Sequence, residues 1–260
     1  MKDLRKYGSS PFEVAVLHGG PGAPGEMAPV AGALSRNFGV LEPLQTRDSI
    51  GGQVQELQAT LEEHSNTPVT LIGWSWGAWL AYILAARHPR LVKKVILVSS
   101  GPFEHKYAER IMPTRLARLS EEERREVRSL LGSMGDLSIL ARNKALSRIG
   151  SIFDRSDCYR PIPHTSGGTE VQYHTHDKVW SEASKLRESG QLLDLGRRII
   201  CPVVAIHGDY DPHPAEGVEK PLSHTLEDFE FILLKHCGHH PWYEKEAKDT
   251  FYRVINEETG

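Results

Sequence analysis

Gly73-Trp74-Ser75-Trp76-Gly77 forms the pattern G-x-S-x-G. The β-rich apolar run Pro68–Gly73 precedes it and the helical apolar run Trp76–Arg87 follows. In that setting the pattern presents a nucleophile. A residue at the tip of a sharp strand-to-helix turn is held in a strained backbone conformation. The positions two before and two after must then be tiny, which Gly73 and Gly77 satisfy. The turn places Ser75 Oγ at the carboxyl edge of a sheet, where the N–H groups of the new helix face the reacting centre.

A serine hydroxyl attacks poorly until a base takes its proton. His239, in Cys237-Gly238-His239-His240-Pro241, follows an apolar run at Phe229–Leu234 and is the candidate base, with His240 and His236 as rivals. A carboxylate must hold that imidazole in one tautomer and stabilise its charged form. The run Pro202–Ile206 leads into His207-Gly208-Asp209-Tyr210-Asp211-Pro212. Asp211 is the candidate acid and Asp209 its rival. Acyl transfer also needs donors fixed beforehand for an oxyanion. The backbone N–H of Trp76 is one. The Gly-rich segment His18-Gly19-Gly20-Pro21-Gly22 offers the other at Gly20, with Gly19 as the fallback.

The ordered set HGGPG (18–22), GWSWG (73–77), GDYD (208–211) and GHHPWYE (238–244) resembles the α/β-hydrolase superfamily. The branch of prolyl iminopeptidases and related esterases, in which HGGPG and G-x-S-W-G occur together, is the most similar. The likeness covers about 1–100 and 195–260, with an insertion where that family carries its cap. It implies an acyl-enzyme hydrolase without a cofactor. Members usually begin with a β-hairpin. Only eleven residues precede the first apolar strand here, so the resemblance implies a sheet of about six strands without that hairpin. The iminopeptidases bind a free amine through acids of a larger cap, and no matching acids are evident in this insertion.

The elements that must position these residues follow from periodicity. Short, nearly continuous apolar runs at Phe12–Leu17, Phe38–Leu41, Pro68–Gly73, Val95–Val98, Pro202–Ile206 and Phe229–Leu234 alternate with helical patterns. That alternation predicts an α/β fold with a mostly parallel sheet covered on both faces. Helices are predicted at Ile50–His64, at Trp76–Arg87 and from about Trp242 to Asn256. The core is read as residues 1–101 and 191–260, and 102–190 as a helical cap. Within the cap, Ser120 and Glu123 form a capping box, and a second helix covers about Asp136–Ile149. Residues 154–170 form a turn-rich loop, and a third helix runs from about Asp177 to an αL cap at Gly190.

The chain has 260 residues, with 31 Lys and Arg against 34 Asp and Glu, a net charge of −3. That balance argues against a nucleic-acid or anionic-membrane partner. Hydrophobic residues at 39% and charged residues at 25% describe an ordinary globular chain. Three cysteines (Cys158, Cys201, Cys237) make no disulfide framework. With no apolar leader and no long apolar run, a cytoplasmic location is the expectation. Trp74, His174 and His176 join Gly19 as possible pocket residues, each with a packing or solvent alternative. Trp79 reads as helix core. His174-Thr175-His176 lacks the three- or four-residue spacing of helical His ligands, and no Cys pair accompanies it or His236/His239/His240, so a catalytic metal is not expected; the glycines lack a nucleotide-binding pattern.

The functional expectation is therefore a serine hydrolase acting on an ester or amide of a small or medium molecule. An aminopeptidase, a carbon–carbon bond hydrolase or cofactor-free lyase, and a non-catalytic small-molecule binder are the alternatives.

Overall fold

The computed structural model describes residues 3–163 and 171–260. Seven strands form one sheet. In chain order these are β1 (Leu4–Tyr7), β2 (Phe12–Leu17), β3 (Gly39–Pro43), β4 (Val69–Trp74), β5 (Val92–Val98), β6 (Val203–Gly208) and β7 (Phe229–Leu234), with spatial order β1-β3-β2-β4-β5-β6-β7. All neighbours are parallel except β1 and β3. The expectation of about six strands is corrected by one. β1 lies antiparallel on β3, with Leu4 opposite Pro43 and Tyr7 opposite Val40. Because β1 pairs with β3, a strand precedes β2 without forming a hairpin with it.

Register brings the chemistry to one edge. Leu17 pairs with Gly73, Trp74 with Val98, Val98 with Ile206, and Gly208 with Leu234. The carboxyl ends of five adjacent strands are thus level, and the loops leaving them share one rim. Ligands of open parallel sheets bind at such a rim.

Alternate strand residues feed two apolar layers, as the two-residue period requires. Ala15, Leu17, Leu71, Leu97 and Ala205 face one layer, while Val14, Val16, Ile72, Ile96 and Val204 face the other. Helices α1 (Ala28–Leu34), α2 (Ile50–His64) and α3 (Trp76–Arg87) follow β2, β3 and β4. Every residue of α3 from Trp76 to Ala86 is buried. A helix apolar all round must be covered all round, and α2 supplies part of that cover.

Between β5 and β6 run α4 (His105–Ala108), α5 (Ile111–Arg118), α6 (Glu121–Ser133), α7 (Ile139–Asp157), α8 (Tyr173–Glu188) and α9 (Gln191–Asp194). The Ser120 capping box is present, with both hydrogen bonds made. Leu119, Val127 and Ile152 form a small apolar cluster of their own. By contrast, Val179 and Ala183 of α8 belong to the main core, and Trp180 stacks on Trp79 of α3 at 5.7 Å and 3°. Helix α7 continues to Asp157, four residues into the segment read as loop; 164–170 of that segment lie outside the described residues. Helix α10 (Glu216–Thr225) precedes β7 and α11 (Lys248–Thr259) closes the chain. The final helix starts later than its pattern predicts, because Pro241–Tyr243 forms a separate 3-10 turn. Among the described residues, no helix is long and apolar enough to cross a membrane.

Candidate active site

Ser75 caps α3 with φ 54° and ψ −113°, a left-handed backbone in a non-glycine residue. Such a conformation costs on the order of 1–3 kcal/mol and must be over-determined by its surroundings. Ser75 N–H bonds to Val98 O at 3.0 Å. A Cβ at Gly73 would lie 2.1 Å from Gly77 O, and one at Gly77 would lie 2.4 Å from Leu17 O. The turn is therefore closed to any larger residue at either position.

The loops after β6 and β7 bring Asp211 and His239 together. His239 Nδ1 lies 2.8 Å from Asp211 Oδ2, with both residues buried. The carboxylate can only accept, so Nδ1 carries the hydrogen and Nε2 is left as the acceptor. Asp209 is engaged elsewhere: its Oδ1 accepts from Cys237 N–H at 3.2 Å, tying the two loops to each other. His240 Nδ1 faces Asp154 at 3.3 Å and Cys158 Sγ at 3.9 Å. His236 has φ 53° and stacks on Tyr159. The end of β4 meets the His239 loop directly, since Trp74 Nε1 donates to His239 O at 2.8 Å.

Asp211 also accepts from His213 at N and at Nδ1, and His207 Nε2 lies 3.6 Å from it. Burial opposes its charge, but His239, His213 and His207 hold its carboxyl well below the usual range. Burial disfavours a charged His239, and the Asp211 carboxylate more than offsets this, so the net shift is upward. Burial pushes His213 down to about 4.

The remaining sequence candidates take several places. Gly20 has φ 36°, and its carbonyl accepts from Ala23 N–H at 2.9 Å. Gly19 is buried against Trp74, whose ring carbons would lie 2.4 Å from a Cβ there. The Trp76 side chain is buried, and its Nε1 donates to Gln53 Oε1 at 2.9 Å. Trp74 is also buried and packs against His239, His240 and Trp242. His174 is an exposed residue of α8, with Nε2 3.4 Å from Asp48 Oδ2. His176 is half-buried against Trp180, and burial lowers its pKa. A groove of about 680 Å³ lies between the β1 edge and α2 and is lined by none of these residues.

Three acids went unremarked in the sequence. Glu26, on the loop after β2, has its carboxyl raised to about 7 by burial and by Asp154, against the pull of His239. Asp157 pairs with Arg115, and its carbonyl accepts from His239 N–H at 2.8 Å. Glu244 is fully buried and accepts from the backbone N–H groups of Tyr159, Arg160 and Gly238 at 2.6, 2.7 and 2.8 Å. A Cβ at Gly238 would lie 2.0 Å from Asp157 O. The end of α7 is thus packed directly onto the loop that carries His239. Only Glu244 left a trace in the sequence, as the last residue of GHHPWYE. Among the described residues, two groups of donor atoms lie close enough to surround a cation: Asp154/Cys158/His240 and Asp211/His213/His239. In the second group, ring N–H groups already fill the space between the side chains.

The sequence model of the alpha/beta hydrolase family matches residues 7–253. The chain belongs to this family. Within it, the chain is similar to a pimeloyl-[acyl-carrier protein] methyl ester esterase of Chromobacterium violaceum, 27% identical over 197 residues that span 76% of this chain and 72% of that protein. A protein of the same name from Neisseria meningitidis is 25% identical over 205 residues, 75% of this chain and 61% of its own length. Among solved structures, VinJ superimposes with a TM-score of 0.69 at 18% identity, over 99% of this chain and 95% of that one. A putative lipase of Acinetobacter baumannii gives 0.65 at 16%, over 98% and 87%. These structures share the alpha/beta hydrolase fold.

Proposed function

We propose that this hydrolase is a serine esterase that cleaves a carboxylic ester of a small or medium molecule through an acyl-enzyme. The observation that carries the reading is the 2.8 Å Asp211–His239 bond on the rim where Ser75 occupies its left-handed turn. Esterase names among the sequence relatives favour an ester over an amide. In this reading His239 Nε2 takes the Ser75 proton as Oγ attacks the carbonyl. The Asp211 carboxylate stabilises the imidazolium through Nδ1–H. The N–H groups of Gly20 and Trp76 receive the oxyanion. As the tetrahedral adduct collapses, the leaving alkoxide takes the proton from His239. A water then gives its proton to His239, attacks the acyl carbonyl, and releases the acid and Ser75.

A second reading, an aminoacyl amide or ester with a free amine near the scissile bond, is favoured by Glu26, whose carboxyl sits in the field of His239. The test is labelling by a fluorophosphonate, followed by a panel of aryl esters, aminoacyl amides and vinylogous diketones. Wild type is expected to label and Ser75→Ala to lose the label. Labelling that persists in Ser75→Ala removes Ser75 from the mechanism. Turnover of the diketones alone replaces ester cleavage with carbon–carbon bond cleavage, and tight binding without any label favours a binder.

A further inference from the structure

Asp211 holds two imidazoles in the same way. His239 Nδ1 is 2.8 Å from Oδ2, and His213 Nδ1 is 2.8 Å from Oδ1. The rings lie side by side, with centroids 4.5 Å apart and an interplanar angle of 26°. Both residues are buried, His213 at 7% exposure and His239 at 5%.

Local chain geometry fixes this pairing. Asp211-Pro212-His213 closes an Asx turn, in which His213 N–H donates to Asp211 Oδ1 at 2.9 Å. Pro212 supplies the restricted φ at its centre. The carbonyl of His213 lies 2.8 Å from His207 Nε2, which must donate because a carbonyl only accepts. His213 is therefore held by its N–H, its C=O and its ring.

We propose that His213 is a positioning residue that sets the orientation of the Asp211 carboxylate and the basicity of His239. Its Nδ1–H takes up one carboxylate oxygen, so the other stays in line with His239. It also draws off part of the carboxylate charge. His239 then releases its proton more readily than it would beside a carboxylate bonded only to backbone. A side chain needed only to fill space would be apolar, since a buried ring N–H is costly without a partner. At neutral pH the His213 ring is uncharged, and its donor hydrogen faces the carboxylate. The charged and titratable groups facing His239 come from several elements. They are Asp211 and His213 from the loop after β6, His207 from β6 and Asp157 from the end of α7. Arg115 of α5, Glu26 from the loop after β2 and the adjoining His240 join them among the described residues. Of the donors on Asp211, the His213 ring is the one a single substitution removes while leaving the His239 bond and the backbone bond in place.

The kinetic part of the proposal rests on the serine-hydrolase reading; the hydrogen-bond part does not. The test uses the full chain as wild type, His213→Leu and His213→Asn. Leucine fills space without a donor, while the asparagine amide can donate from near the Nδ1 position. The acid limb of kcat/KM on an aryl ester reports deprotonation of His239. In His213→Leu this limb is expected to move upward by about 0.5–1 pH unit, and kcat to fall about tenfold with little change in KM. His213→Asn is expected to restore the limb. An unmoved limb in His213→Leu, or an equal shift in both variants, overturns the proposal. Proton NMR gives a readout independent of turnover. Wild type is expected to show strongly downfield ring N–H signals from His213 and His239 on Asp211, beside that of His207 on the His213 carbonyl, and His213→Asn is expected to lose one of them. A variant spectrum that keeps every downfield ring N–H signal of wild type overturns the proposal even where His213→Leu does not fold. Failure of wild type to label with fluorophosphonate counts against the hydrolase reading, and the NMR result still decides the hydrogen bond.

Discussion

Replacing Glu244 by alanine tests whether the insertion and the His239 loop are held as one unit. The side chain is fully buried and receives three backbone N–H groups, two from residues 159–160 and one from Gly238. In Glu244→Ala each of these loses its acceptor. An orphaned buried donor costs about 1–3 kcal/mol, so three give about 3–9 kcal/mol, reduced to about 3–5 if water enters the vacated space. That is a large part of the roughly 5–15 kcal/mol that holds a domain folded. For a chain of this size it corresponds to a fall in Tm of roughly 10 °C. Glu244→Gln keeps one acceptor oxygen but turns an amide N–H₂ toward a backbone donor, so about half of the loss is expected to return. The assay is thermal and urea unfolding of the three proteins, with ester turnover measured well below the lower Tm. Turnover is expected to fall in Glu244→Ala, because Gly238 adjoins His239. A Glu244→Ala protein melting within about 2 °C of wild type would refute the reasoning, since orphaned donors cannot be that cheap.

Two further outcomes follow from the geometry. Gly73→Ala puts a methyl 2.1 Å from Gly77 O; the turn must open, and fluorophosphonate labelling is expected to fall at least about tenfold, as a nucleophile displaced by a fraction of an ångström requires. Stability is expected to drop below neutral pH. Burial lowers His18 and His213 to about 4, so the unfolded chain takes up protons first as pH falls from the ordinary 6.5. Glu26, raised to about 7 by burial and Asp154, works in the opposite direction between 4.5 and 7. His176 and His207, also lowered by burial, add to the loss, and Glu42, raised by burial, subtracts from it, so four lowered imidazoles against two raised carboxyls leave a net loss on the order of a few kcal/mol between pH 6.5 and 4.5. Urea unfolding at the two pH values checks this, and equal or greater stability at pH 4.5 contradicts it.

Elements whose stability is local could be read directly. Ile50–His64 and Trp76–Arg87 have the bounds that their periodicity predicts. Strand β1 escaped notice because Leu4-Arg5-Lys6-Tyr7 has no apolar run. It is held from afar, by Arg5 and Tyr7 on the buried carboxylate of Glu42. Helix α1, seven residues rich in alanine, is too short for a pattern. The end of α7 looked like loop because Asp154 to Asp157 is polar, yet Asp157 is held by Arg115, 42 positions away. The site divides in the same way. Ser75, Asp211 and His239 stand in short motifs after apolar strands. The Asx turn that ties His213 to Asp211 is local, whereas the partners of Glu26 and Glu244 are set by loop contacts that no local pattern encodes.

The stacking of Trp180 on Trp79 bears on how such enzymes could be re-engineered. A helix that shares its aromatic packing with the helix that follows Ser75 cannot be exchanged without disturbing the central scaffold, so the insertion is not a transplantable cassette from end to end. The portion closest to a self-contained block is α6 with the facing stretch of α7, built around Leu119, Val127 and Ile152. Chimaeras joined inside that block should keep their scaffold intact, whereas junctions at the strand ends would sever the stack.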